Sequence, residues 1–140
     1  MRILVAFFIL ISGCLVAPAF SAVLEARIDI SQQKIFVYKN GFLRHQWNVS
    51  TARRGYITPR GSYRPTRMYK EYYSKKYDNS PMPHSIFFRG GYAIHGTNYI
   101  RSLGQPASHG CVRLHPENAA TLYNLVNDAG RENTRITVTN

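Results

Sequence analysis

A single stretch of this chain, Pro116 to Ala129, repeats its apolar residues at helical spacing, through Ala119, Leu122, Tyr123, Val126 and Ala129. Pro116 suits the first helical position and Gly130 suits the stop, so both ends of that helix are written in the sequence. The other ordered segments alternate apolar and polar residues over short runs broken by Gly, Pro and Asn. An aromatic content of 13% favours strands further, and 140 residues leave room for one domain. The expectation is a mainly β domain with one packed helix near its C-terminus.

Val23 to Ile30 and Lys34 to Lys39 read as strands separated at hairpin spacing, and Asn40-Gly41 is a strong turn signal before a third strand, Phe42 to Ser50. Arg53 to Pro65 is rich in Gly, Pro and Arg and reads as loop or edge structure. Arg64 to Pro83 is the least regular part, with Tyr69, Tyr72, Tyr73 and Tyr77 among basic residues. Two readings stay open for it: a solvated excursion, or a flap over a binding groove. Ser85 to Phe88 and Tyr92 to His95 read as strands around Gly90-Gly91, and Arg135 to Thr139 as the last strand.

Residues 1–21 read as a secretory signal peptide: Arg2, an apolar run from Ile3 to Val16, then small residues up to Ala22. The run is short for a membrane span, which needs about 20 residues. Cleavage after Ala19 or after Ser21 fits equally. Ile11-Ser12-Gly13-Cys14 also resembles a bacterial lipoprotein box, which would tether the protein to a membrane through Cys14. Both readings predict export to the periplasm or cell envelope, with residues 22–140 as the working domain.

Export gives meaning to the cysteines. Cys14 and Cys111 are the two present, so removal or lipidation of the first leaves Cys111 without an intramolecular partner. It sits in Ser108-His109-Gly110-Cys111-Val112-Arg113-Leu114, downstream of Ala93-Ile94-His95-Gly96-Thr97. Nucleophilic thiol chemistry needs a base, or a nearby cation, and donors for an oxyanion. Two histidines, an arginine and a glycine-bearing turn supply candidates for each. A zinc site built from His95, His109, Cys111 and His115 is the competing reading, but the spacing matches no paired-ligand pattern. No metal or other cofactor is expected.

His95-Gly96 together with Ser108-His109-Gly110-Cys111 resembles the signature of the L,D-transpeptidase (YkuD-type) catalytic domain. Val49-Ser50-Thr51 and Thr58-Pro59-Arg60-Gly61 resemble that family's upstream TP-x-G region, and the likeness runs from about Val23 to the C-terminus. The resemblance implies an L,D-transpeptidase-like β-sandwich. It implies Cys111 as nucleophile and His95 as general base, with the Gly96 carbonyl holding the other ring nitrogen. His109, Gly110 and Cys111 would surround the oxyanion, Ser108 would fix the loop, and Arg113 would brace it or meet a substrate carboxylate. The implied substrate is a peptidoglycan tetrapeptide stem, cut after meso-diaminopimelate with release of D-alanine. The acyl group would pass to another stem, giving a 3–3 cross-link, or to an outer-membrane lipoprotein lysine. Water as acceptor would make a carboxypeptidase or amidase. Twelve residues separate His95 from Ser108, so this loop is trimmed relative to larger members.

A net charge of +11 with interleaved tyrosines would also suit a nucleic-acid binder, but export argues against nucleic acid as a partner. An inactive wall-binding module would share the basic charge, yet has no need of a His95/Cys111 pair.

Overall fold

The computed structural model describes residues 22–140, so the signal-peptide and Cys14 readings lie outside the described residues. The chain begins with β1 (Leu24–Asp29), β2 (Lys34–Lys39) and β3 (Phe42–Asn48). Asn40 and Gly41 take positive φ of 51° and 81°, the conformation of a two-residue hairpin turn, and Lys39 pairs with Phe42 across it. Next come β4 (Gly61–Tyr63), β5 (Arg67–Tyr69), β6 (Tyr73–Ser74) and β7 (Ser80–Pro81). They are followed by β8 (Ser85–Arg89), β9 (Tyr92–Gly96), β10 (Val112–Leu114), α1 (Pro116–Ala129) and β11 (Thr134–Thr139).

Two larger sheets form the body, a five-stranded one in the order β3-β2-β1-β11-β4 and a four-stranded one in the order β10-β9-β8-β5, beside the two-stranded β6-β7. The last strand returns to lie parallel to the first, Leu24 opposite Thr134 and Ile28 opposite Val138. Alternation along each strand sends one set of side chains into the space between the sheets. Leu24, Ala26, Ile28, Ile35, Val37, Ile136 and Val138 meet Ile86, Phe88, Ile94, Val112 and Leu114 there. Each such burial contributes about 1.5–3 kcal/mol for the larger side chains.

Among the described residues α1 is the one α-helix, and it buries Ala119, Leu122 and Val126 in the same core. His115 caps it: its Nδ1 accepts the Glu117 N–H at 3.2 Å, while Pro116 opens the first turn. The expectation of a β-sandwich with one packed C-terminal helix holds. Three features were not anticipated: the short strand β10 inside the Cys111 segment, the parallel β1–β11 pairing, and order in the tyrosine-rich region. That region is a hairpin ribbon, with β6 paired to β7 and further backbone hydrogen bonds from Met82 N–H to Tyr72 and from His84 N–H to Lys70.

Candidate active site

β9 and β10 run side by side and parallel, with Val112 opposite Ile94 and Arg113 opposite His95. Ile94, Val112 and Leu114 point into the sandwich core. The alternate residues therefore face the other way, which puts Ala93, His95, Cys111 and Arg113 on one outer face. A second apolar cluster of Met82, Phe87 and Ala93, with Tyr72 and Cys111 packed against it, forms the floor of that face. One pleat thus serves two ends: its inner half holds the fold and its outer half presents the thiol and the imidazole side by side.

His95 is 6% exposed, and its Nδ1 is 2.7 Å from the Gly96 carbonyl oxygen. A carbonyl only accepts, so Nδ1 carries the proton and the Nε2 lone pair is left as a base. Burial, opposed by the Gly96 hydrogen bond and helped by the Arg113 charge, lowers the His95 pKa to about 4. Cys111 is partly exposed, and its thiol contacts the Gly91 carbonyl oxygen at 3.7 Å. Burial pushes the thiol pKa up, against smaller lowering effects from the Ala93 N–H and Arg113. The resting pair is neutral thiol with neutral imidazole. Desolvation outweighs the lowering effects of those neighbours.

The turn that carries the thiol is clamped by two hydroxyls. Ser108 Oγ donates to the Cys111 carbonyl at 2.5 Å and accepts the Gly110 N–H at 3.0 Å. The Gly110 N–H, expected among the oxyanion donors, is therefore engaged inside the loop. Thr58 Oγ1 donates to the Gly110 carbonyl at 2.8 Å and accepts the Ala52 N–H at 3.0 Å. Gly110 itself has φ of 133°, and a Cβ there would lie 2.5 Å from Tyr92 Cε1 and 2.9 Å from the Ile57 carbonyl oxygen. No other residue fits.

Residues 50–53 line the loop's other side. Ser50 and Arg113 exchange backbone hydrogen bonds at 3.0 and 2.9 Å, and the Thr51 carbonyl accepts from Ala107 and Ser108. Buried Gln33 anchors this segment, its Oε1 accepting the Thr51 N–H at 2.9 Å and its Nε2 donating to Thr51 Oγ1 at 2.6 Å. Arg113, half-buried, reaches the Ala107 carbonyl at 3.4 Å and lies 5.5 Å from the Tyr99 ring.

His109 lies flat against Tyr77 of the tyrosine-rich ribbon, and Tyr56 meets its edge at 4.8 Å between centroids. Desolvation and the charges of Arg53, Arg113 and Lys76 lower its pKa. Sequence reasoning missed the parts played by Thr58, Gln33 and Tyr77. Thr58 stood in a motif with no role attached to it, and only the aromatic density around Tyr77 pointed to that residue. His45, stacked on Trp47, and His84, edge-on to Tyr123, have other ring partners.

The sequence matches the profile of the L,D-transpeptidase catalytic domain (YkuD) over residues 25–138. Among solved structures, an L,D-transpeptidase from Stackebrandtia nassauensis is similar with a TM-score of 0.75 at 24% identity, over 89% of this chain and 58% of that one. One from Xylanimonas cellulosilytica gives 0.66 at 28% identity, over 87% of this chain and 63% of that one. L,D-transpeptidase 3 from Mycobacterium tuberculosis, solved with a faropenem-derived adduct, gives 0.73 at 20% identity, over 85% and 61%. The chain thus spans about three fifths of the length of these structures. No curated protein matches it. Profile, topology and the His95–Cys111 arrangement agree, and the chain belongs to the L,D-transpeptidase catalytic domain family.

Proposed function

We propose that this protein is an exported cysteine acyltransferase of the peptidoglycan layer, with Cys111 as nucleophile and His95 as general base. The observation that carries this reading is the placement of Cys111 and His95 on one outer face of two adjacent strands, with the His95 Nδ1 fixed by Gly96. The thiol adds to the carbonyl carbon of meso-diaminopimelate, whose peptide bond leads to the terminal D-alanine of a tetrapeptide stem, and its proton passes to His95 Nε2. The new C–S bond forms, the C–N bond to D-alanine breaks, and the proton leaves on the departing amine. An acceptor amine then attacks the thioester, gives a proton to the imidazole, and returns the thiol. A stem-peptide amine yields a 3–3 cross-link; a lipoprotein lysine yields an anchor.

Ser108 and Thr58 support this chemistry by fixing the loop, and the Cys111 and His109 N–H groups are left for the oxyanion. Arg113, beside the site, stabilises the loop through Ala107 and adds positive charge near the developing anion. The test is incubation with disaccharide-tetrapeptide and mass spectrometry of the products. Dimers that disappear in Cys111→Ala are expected. Tripeptide alone would make the enzyme a carboxypeptidase, and no product would sink the reading. A β-lactam adduct on wild type and not on Cys111→Ala would identify the nucleophile.

A further inference from the structure

We infer that Thr58 is a positioning residue for acyl transfer, aiming the Cys111 backbone N–H at the oxyanion from outside the catalytic loop. The inference rests on the acyltransferase reading only in that an oxyanion forms at Cys111, whatever the substrate. Thr58 is 2% exposed and comes from the far side of the site, 52 residues upstream of Gly110. Its hydroxyl has a fixed sense. The Ala52 N–H occupies it as an acceptor, so its own proton goes to the Gly110 carbonyl.

That carbonyl and the Cys111 N–H share one trans peptide plane and point in opposite directions. Tying down the oxygen therefore sets the direction of the N–H. Ser108 holds the two flanking groups, the Gly110 N–H and the Cys111 carbonyl. Of the four successive backbone groups from the Gly110 N–H to the Cys111 carbonyl, the two hydroxyls engage three and leave the Cys111 N–H to the substrate side. A donor acts on an oxyanion only if it is aimed before the charge develops.

Two reagents separate this role from a merely structural one. p-Nitrophenyl acetate acylates the thiol through an oxyanion; iodoacetamide alkylates it by displacement at saturated carbon and forms none. Rates would be read on the full chain, at the peptide carrying Cys111, by mass spectrometry, with thermal melts of each variant. Thr58→Val is expected to slow acylation by about tenfold to a hundredfold, approaching loss of one oxyanion donor. Alkylation should stay within about twofold, and Thr58→Ser should restore acylation. Thr58→Ala serves the same test should the valine variant not fold. Acylation left unchanged, falling together with alkylation, or not restored by serine would overturn the inference. Neither reagent resembles a stem peptide, so failure on peptidoglycan and failure here are separate results.

Discussion

Tyr77 stacks on His109 with ring centroids 4.2 Å apart and planes 10° from parallel, which ties the tyrosine-rich ribbon to the loop that carries Cys111. The ribbon's base is held by Tyr72, which packs on Phe87 and Met82 beneath the thiol. Most of the segment is exposed, and of the two readings open for it the contacts of Tyr72 and Tyr77 favour the flap. Lys76 and Arg53 flank the stack, each near a tyrosine ring, so the ribbon brings positive charge as well as aromatic surface over the site.

Truncating Tyr77 should therefore weaken capture of a large anionic substrate and leave the thiol intact. An aromatic pair contributes about 0.5–1.5 kcal/mol beyond its burial, so Tyr77→Ala should raise KM for a stem-peptide substrate roughly threefold to tenfold. Alkylation of Cys111 by iodoacetamide should change little. Steady-state kinetics beside thiol labelling would check this, and an unchanged KM would remove the ribbon from substrate binding.

The neutral thiol–imidazole pair sets the pH dependence of the first chemical step. His95 keeps its basic lone pair down to about pH 4, and the Cys111 thiol is held protonated by burial. The single-turnover acylation rate should be flat from about pH 5 to pH 8 and fall towards a midpoint near 4. A preformed thiolate–imidazolium pair would instead lose rate as His95 deprotonates on the alkaline side. Stopped-flow acylation across this range distinguishes the two.

The same burial makes stability depend on pH. The His95 pKa is about 4 in the fold and 6.5 as the ordinary value, so the unfolded chain takes up a proton first as pH falls. Stability from this residue is complete above pH 6.5 and is lost progressively between 6.5 and 4. The full loss is about 3 kcal/mol, since each pH step between those two values is worth about 1.4 kcal/mol. Urea unfolding at pH 7 and pH 4.5 should show a smaller drop for His95→Gln than for wild type. Equal drops would mean that His95 is not buried neutral.

How much of this was legible in the sequence follows from how local each signal is. The α1 boundaries rest on Pro116, Gly130 and a single periodic face, all contained in one window, and they emerged residue for residue. The Asn40-Gly41 hairpin is equally local. Cys111, His95 and their neighbours stand out as candidates in the sequence because the proposed chemistry needs rare residue types close together. β10 was not, because three residues give no period and its strand character comes from pairing with β9. Thr58 and Gln33 act across 52 and 18 residues of chain, and their partners are backbone atoms or a common hydroxyl. No residue pattern encodes such contacts. Tyr77 needed the ribbon's fold before its ring had anything to meet.

Gly110 is where the demands of fold and chemistry coincide. Its φ of 133° strains any residue with a side chain, and a Cβ would run into Tyr92 Cε1 and the Ile57 carbonyl. Tyr92 packs against the main core and Ile57 precedes Thr58, so relief of the clash on either side disturbs a wall of the loop. Gly110→Ala should therefore cost about 2–5 kcal/mol, combining overpacking of about 1–3 kcal/mol with backbone strain of about 1–2 kcal/mol. Activity should fall more steeply than stability, because a shifted Gly110 carbonyl loses its hydrogen bond from Thr58 and turns the Cys111 N–H with it. Measured well below the variant's melting temperature, ester acylation should drop by about tenfold or more while the remaining protein stays folded by circular dichroism. Wild-type acylation in a folded Gly110→Ala protein would show that the loop tolerates the displacement and that its clamps are not what aims the backbone donor.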